Sequence, residues 1–320
     1  MKSRVPKKND SLILLTDYFA SRIDFHDKSD PLLKQVISAP EEKSGQGIVD
    51  FCGEGKFYAT EFLVHRYPDR AVLLATNRCF GHCRFCFRKN LWNDPGKKID
   101  EQGLWEAAGY LKKNSGIKEL IISGGDPLTL STRELKKIIA RFAVLPQISL
   151  IRIASRALTF APERIDAGLL KILKSSRKQI WFVSHINHGR ELGRGGIAAI
   201  ARLRKAGIPV LNQTVLLKGI NDRSEVLIDL FRRLAGLGVK PYYLFQCDPV
   251  PGSRHFATNL KKSLALVAKL SENSGIISPR FAFELPGYGK LAWGPGWEII
   301  QTLRGNIIVS PSRKKYFYPA

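Results

Sequence analysis

From position 70 onward the chain alternates short runs of aliphatic and β-branched residues with longer stretches whose apolar positions recur every three or four residues. Runs of the first kind fit strands buried on both faces, and stretches of the second kind fit the amphipathic helices that cover them. The strand-like runs are AVLLAT (71–76), ELIIS (119–123), SLIRIAS (149–155), QIWFVS (179–184), PVLNQTVLL (209–217) and PYYLFQC (241–247), with FAFEL (281–285) a further candidate. Between them GLWEAAGYLKKN, TRELKKIIARFAVL, IAAIARLRKAG and RSEVLIDLFRRLAGLG carry the helical period, and their closing glycines read as C-caps.

Six consecutive βα units predict an α/β fold with a parallel sheet. No G-x-G-x-x-G follows the first run, so a partial (β/α)6 barrel of TIM-like architecture is favoured over a doubly wound nucleotide-binding sheet. Chemistry in such barrels gathers at the C-terminal ends of the strands. At those positions the sequence places a cysteine cluster, SGGD (123–126), SR (155–156), HINH (185–188), NQ (212–213) and QCD (246–248). The chain divides into an N-terminal helical and loop extension (1–64) without a catalytic signature, a barrel core (65–257), and a C-terminal segment packed on the barrel (258–320).

Composition narrows the class. Hydrophobic residues make up 44% and charged residues 25% of the 320, ordinary globular usage that excludes disorder, collagen-like repeats and a small disulfide scaffold. Lysine and arginine number 51 against 28 aspartates and glutamates, a formal charge of +23 that points to anionic partners. The one apolar run near the start, LILL, is too short for a signal peptide or a membrane span, and three of the five cysteines fall within eight positions. A reducing cytoplasm is therefore expected, with no membrane association.

Cys79, Cys83 and Cys86 offer three thiolates in a loop directly after the first strand, with no fourth cysteine beside them. A four-iron cluster held by three thiolates keeps one iron open to an outside ligand, and S-adenosylmethionine can chelate it through its amine and carboxylate. A zinc site completed by His82 and a structural or redox trio are the alternatives, although the cramped spacing is unlike paired C-x-x-C zinc ligands. Cys52 and Cys247, isolated in sequence, read as packing residues.

Around this loop HRYPDR (65–70), CFGHCRFCFRK (79–89), SGGDPL (123–128), IRIASR (151–156), HINH (185–188), LNQTVLLKGIND (211–222), PYYLFQCDPVPGSRHF (241–256) and PGYGK (286–290) follow in unbroken order. With Phe85 before the last cysteine, they closely resemble the lysine 2,3-aminomutase family of radical S-adenosylmethionine enzymes over about residues 60–292. The family includes a short member that supplies β-lysine for elongation factor P. The resemblance implies the partial barrel of the radical S-adenosylmethionine type, with a [4Fe–4S] cluster on Cys79, Cys83 and Cys86. S-adenosylmethionine would meet Gly124, Gly125 and Asp126, with further contacts from His185 and Gln213. Lys290 would form a Schiff base with pyridoxal 5′-phosphate, whose phosphate and phenolate would take Arg66 and Arg70. Arg88 would grip the substrate carboxylate, and Asp248 with Glu284 would hold a side-chain ammonium, which selects lysine over glutamate. Two departures stand out: the PGYGK loop is a residue shorter than the multi-glycine loop of the long enzymes and contains Tyr288, and Glu284 replaces their Asp.

The implied activity moves the α-amino group of L-lysine to the β carbon. An electron from the cluster cleaves S-adenosylmethionine to a 5′-deoxyadenosyl radical, the radical takes a β-hydrogen, and nitrogen migrates through a ring delocalised by the pyridoxal imine. An electron-donor protein is then a required partner, and the elongation factor P pathway is a candidate destination for the product. The tail after Lys290 does not resemble the family's oligomerisation segment, so the oligomeric state stays open. Rival readings are a radical enzyme acting on another amino acid or on RNA, in line with the charge, and a non-catalytic iron–sulfur or zinc protein. Lys290, Asp248 and Glu284 argue against RNA as the substrate, and the full set of rim motifs argues against a non-catalytic protein.

Overall fold

A computed structural model describes residues 14–45 and 47–319. Two short helices, α1 (Asp17–Ala20) and α2 (Leu33–Val36), open the described chain. There follow β1 (Tyr58–Thr60), β2 (Leu63–Tyr67), β3 (Arg70–Thr76), α3 (Glu101–Lys113), β4 (Glu119–Gly124), α4 (Thr132–Ala143), β5 (Leu150–Ser155), α5 (Ala157–Phe160), α6 (Ala167–Lys174) and β6 (Gln179–His185). Next come α7 (Arg194–Lys205), β7 (Val210–Leu216), α8 (Ser224–Gly236), β8 (Val239–Gln246), α9 (Leu260–Ser271), β9 (Arg280–Leu285) and β10 (Gly289–Ala292). A separate three-stranded sheet, β11 (Glu298–Thr302), β12 (Gly305–Val309) and β13 (Lys315–Pro319), closes the chain.

The main sheet runs from β1 to β10 in chain order. Strands β3 to β9 are parallel, with β1 and β2 antiparallel on one side and β10 antiparallel on the other. The six expected strands all form, and FAFEL adds a seventh parallel strand as β9. Both expected boundaries fall within this one sheet, because β1 precedes residue 65 and β9 and β10 follow residue 257.

Local sequence accounts for the elements. Leu135, Ile138, Ile139 and Phe142 of α4 recur at helical spacing and are all buried against the sheet core. Ser131 starts that helix in a capping box with Glu134, and Asp100 and Asp166 cap α3 and α6. After α7 and α8 the chain turns off through Gly207 and Gly238, whose φ angles of 74° and 73° suit glycine at a helix end. Among the described residues no helix is long and apolar enough to cross a membrane.

Candidate active site

Alternate residues of the parallel strands point inward. Arg70 and Val72 of β3, Ile121 and Ser123 of β4, Arg152 and Ala154 of β5, and Gln213 and Val215 of β7 all line one cavity of about 400 Å³. Its wall includes every residue to which the family resemblance gave a site role, although these come from positions as far apart as 66 and 290.

At the C-terminal ends of the strands, Cys79, Cys83 and Cys86 lie in the loop that leaves β3. The loop is pinned from below. Phe85 packs with Leu217, Ile220, Cys247 and Phe256, and Arg84 makes a bidentate pair with Glu42 of the N-terminal segment, its Nε at 2.9 Å. Burial, reinforced by Cys83, raises the Cys86 thiol to about 11, and burial raises that of Cys79 further, so a metal would have to displace protons. His82 is stacked on Trp92 at 4.2 Å, and among the described residues no three His, Cys, Asp or Glu side chains converge on one ion position. A single zinc finds no ligand set there, whereas an iron–sulfur cluster takes one thiolate per iron and fits three separated thiols.

The glycine edge is shaped by protein first. A Cβ on Gly124 would come 2.3 Å from the Thr76 carbonyl oxygen, and one on Gly125 would come 2.4 Å from that of Arg78. These glycines let the end of β4 pass directly against the root of the cysteine loop. Asp126 lines the cavity, but its carboxylate already accepts from the Ser155 hydroxyl (2.8 and 3.0 Å), the Arg156 N–H (2.8 Å) and the Leu128 N–H (3.0 Å). It therefore holds the edge in shape, and its pKa rises to about 6 because burial outweighs those bonds.

His185 stands across the β6–β7 ladder from Gln213. Burial, then the Arg156 charge, lowers its pKa to about 3, so the ring is neutral. Its Nε2 lies 3.1 Å from Asn187 Oδ1, which also accepts from the Val215 N–H; the proton is therefore on Nε2 and the acceptor is Nδ1. Arg156, barely exposed, donates to Cys83 Sγ (2.7 Å), to Glu191 (2.7 Å) and to the His185 carbonyl (3.1 Å), tying the cluster loop to the ends of β5 and β6.

Lys290 sits on β10, paired in register with Glu284 of β9, and not in a mobile glycine loop. The shortened loop is the tight connection 286–288, and Tyr288 faces outward against Trp297 and Tyr316. The Lys290 ammonium lies 4.7 Å from the Tyr243 ring centre and 5.2 Å from that of Phe245. Burial, then Arg70 and Arg152, lowers its pKa to about 8. Such an amine is partly neutral near physiological pH and is a competent nucleophile.

The other candidates are paired within the protein. Arg66 forms a salt bridge with Glu284, so the side chain expected to hold a cofactor phosphate is drawn toward the acid expected to hold a substrate ammonium. Arg70 bonds Asp69 (2.9 and 3.2 Å) and lies over the Tyr67 ring. Arg88 carries Glu54 in its fork, with Nε donating at 2.8 Å and Nη2 at 2.5 Å. Asp248 has the Cys52 thiol at 3.9 Å; burial and neighbouring Glu284 raise its pKa to about 7. Cys52 thus belongs to the cavity wall and is not a packing residue, while Cys247 is buried as expected.

Sequence reasoning missed Glu54 and Arg152. Glu54 lies in a polar stretch with no periodicity, which gave no signal, but Arg152 interrupts the apolar run LIRIAS, and a charge inside a doubly covered strand was a readable sign.

Comparison with known proteins agrees with this geometry. The radical SAM superfamily model matches residues 73–231. A Treponema pallidum (strain Nichols) protein, provisionally named L-lysine 2,3-aminomutase, is 40% identical over 261 residues, covering 81% of this chain and 73% of its own length. The L-lysine 2,3-aminomutase of Methanococcus maripaludis is 33% identical over 313 residues, covering 93% of this chain and 72% of its own. The fold is similar to that of a radical SAM methyltransferase from Sphaerobacter thermophilus, with a TM-score of 0.52 at 17% identity over 70% of this chain and 69% of that one. With sequence identity sustained over most of both chains and the cysteine loop set at the mouth of a parallel barrel, this chain belongs to the lysine 2,3-aminomutase family of radical S-adenosylmethionine enzymes.

Proposed function

We propose that the chain moves the α-amino group of L-lysine to the β carbon, using pyridoxal 5′-phosphate beside the cluster and S-adenosylmethionine of its family. The observation that carries this reading is that three thiols, a half-buried lysine of lowered pKa, and an arginine with two acids line a single cavity. When bound, the cluster with S-adenosylmethionine supplies a carbon radical able to take an unactivated hydrogen, and pyridoxal phosphate supplies a conjugated ring over which the rearranging electron spreads.

The chain's own residues do the rest. Cys79, Cys83 and Cys86 hold the cluster, the 124–126 edge and His185 with Gln213 border S-adenosylmethionine, and Lys290 presents a partly neutral amine to the cofactor's carbonyl. Arg88 donates to the substrate carboxylate once Glu54 leaves its fork. The ε-ammonium settles between Asp248 and Glu284, where its charge favours the ionised form of Asp248 and releases Glu284 from Arg66. The walls keep water from the reacting carbon.

The test is anaerobic incubation of reconstituted protein with both organic cofactors, a reductant and lysine, glutamate or arginine, followed by amino acid analysis. β-Lysine from lysine alone supports the reading, and a β-amino product from glutamate, or none at all, overturns it. Elongation factor P as destination is tested by weighing that factor from cells lacking the gene: loss of a β-lysyl mass supports it, and an unchanged mass rejects it.

A further inference from the structure

We infer that Arg156 raises the reduction potential of the iron–sulfur cluster through a charged hydrogen bond to the sulfur of Cys83. The inference rests on the cluster of the family and not on the pyridoxal phosphate or lysine reading, and it concerns a residue to which the sequence resemblance gave no role. Arg156 follows β5 directly and is 9% exposed. All three of its guanidinium nitrogens are used. Nη1 donates to Cys83 Sγ at 2.7 Å, Nε to the His185 carbonyl at 3.1 Å, and Nη2 to Glu191 at 2.7 Å and Gln35 at 3.2 Å. Glu191 and Gln35 are buried and are themselves fixed. Glu191 also takes the N–H groups of Asn187 and His188 at 2.8 and 3.0 Å, and Gln35 Oε1 takes the Asn187 amide at 3.0 Å. One side of the guanidinium is thus anchored in the protein while the other is held against a single cysteine.

The surroundings are apolar. The guanidinium carbon lies 4.8 Å from the centre of the Phe160 ring, which is 1% exposed, and Phe19 is stacked on Phe160 at 4.2 Å. A Cβ on Gly81 would come 2.2 Å from Phe160, so the same ring also seats the cysteine loop. A charge in such a place is little screened. Glu191 offsets it only in part, because its bond is to Nη2 while Nη1 faces the sulfur. Hydrogen bonds to the sulfurs are among the levers that set a cluster's potential, and the reduced cluster carries one more negative charge than the oxidised one. A fixed cationic donor at Cys83 therefore favours the reduced form, which is the form that gives up the electron.

The test is an anaerobic redox titration of the cluster, read by electron paramagnetic resonance, on the reconstituted full chain without S-adenosylmethionine. Wild type, Arg156→Gln and Arg156→Lys are compared, with iron and sulfide measured on each sample. Arg156→Gln should disfavour reduction about tenfold, which for one electron is a fall of about 59 mV, and Arg156→Lys, which keeps the charge, should recover part of it. A wild-type potential in Arg156→Gln would leave the residue a structural tie only and overturn the inference. Equal falls in the two variants would trace the change to lost packing and reject it as well. Should neither variant hold a cluster, wild type decides. Protein carrying a heavy-nitrogen label in its arginine guanidinium groups should show hyperfine coupling of that label to the reduced cluster, since Arg84 and Arg88 of the loop are held by Glu42 and Glu54. No such coupling would reject the contact with Cys83.

Discussion

Asp248 shows how a binding residue can work against the stability of the fold that holds it. With one weak partner and a second acid nearby, its folded pKa of about 7 lies above the ordinary 3.8. A group with a raised folded pKa contributes its full stability below the unfolded value and loses it as pH rises through the folded one. Asp248→Asn should therefore raise the Tm of ligand-free protein clearly at pH 8 and much less near pH 5, while weakening lysine kcat/KM about tenfold to a hundredfold. Equal Tm shifts at both pH values would remove the electrostatic account. The cysteines make a second residue-level case. Iron and sulfide should be lost when Cys79, Cys83 or Cys86 becomes alanine and retained in Cys52→Ala and Cys247→Ala, since neither of those two belongs to the loop that leaves β3. Zinc in anaerobically purified protein would end the radical mechanism.

At the scale of elements, the segment after residue 49 matters more than its sequence promised. Asp50 accepts from the N–H groups of Glu54 and Gly55 at 2.7 and 3.0 Å, and this turn carries Cys52 to Asp248 and Glu54 to Arg88. A carboxylate already in the Arg88 fork competes with that of the substrate. Glu54→Gln should accordingly lower the lysine Kd, by about tenfold if one charge-assisted bond is relieved. A Kd that rises would mean instead that Glu54 orients Arg88 for the substrate. Gly125→Ala tests the neighbouring junction. The added methyl meets backbone at 78 and has no flexible side chain to push aside, so the cysteine loop must shift, and cluster content should fall while far-UV circular dichroism stays near wild type.

For the molecule as a whole, a charge of +23 on a chain whose proposed substrate is one small amino acid leaves most of the positive charge outside the proposed chemistry. Such a field speeds encounter with acidic proteins, and the proposed reaction requires an electron donor, so an acidic donor protein is the partner to test. Reduction of the cluster by such a donor should slow markedly between about 50 mM and 500 mM salt, as the screening length shrinks, whereas reduction by a small neutral reductant should not. Equal salt dependence for the two would assign the charge to some other anionic partner.

The repeat of apolar runs and amphipathic stretches determined the parallel strands, their covering helices and the rim on which Cys79, His185 and Gln213 fall, because burial on both faces leaves its mark residue by residue. Turn chemistry was legible too, as at Gly207 and Gly238. What the sequence could not determine is who meets whom. That Arg66 pairs with Glu284, that Glu54 fills the fork of Arg88, and that Asp126 spends its carboxylate on Ser155 and Arg156 are contacts between distant strands and loops. Lys290 reads as a flexible-loop residue until β10 pairs with β9, and Arg152 as an oddity in a strand until the sheet curves and turns it toward Lys290. Pattern records which face of an element is buried; the partner on that face is fixed only when the sheet brings distant residues within a few ångströms, where desolvation and charge decide their chemistry.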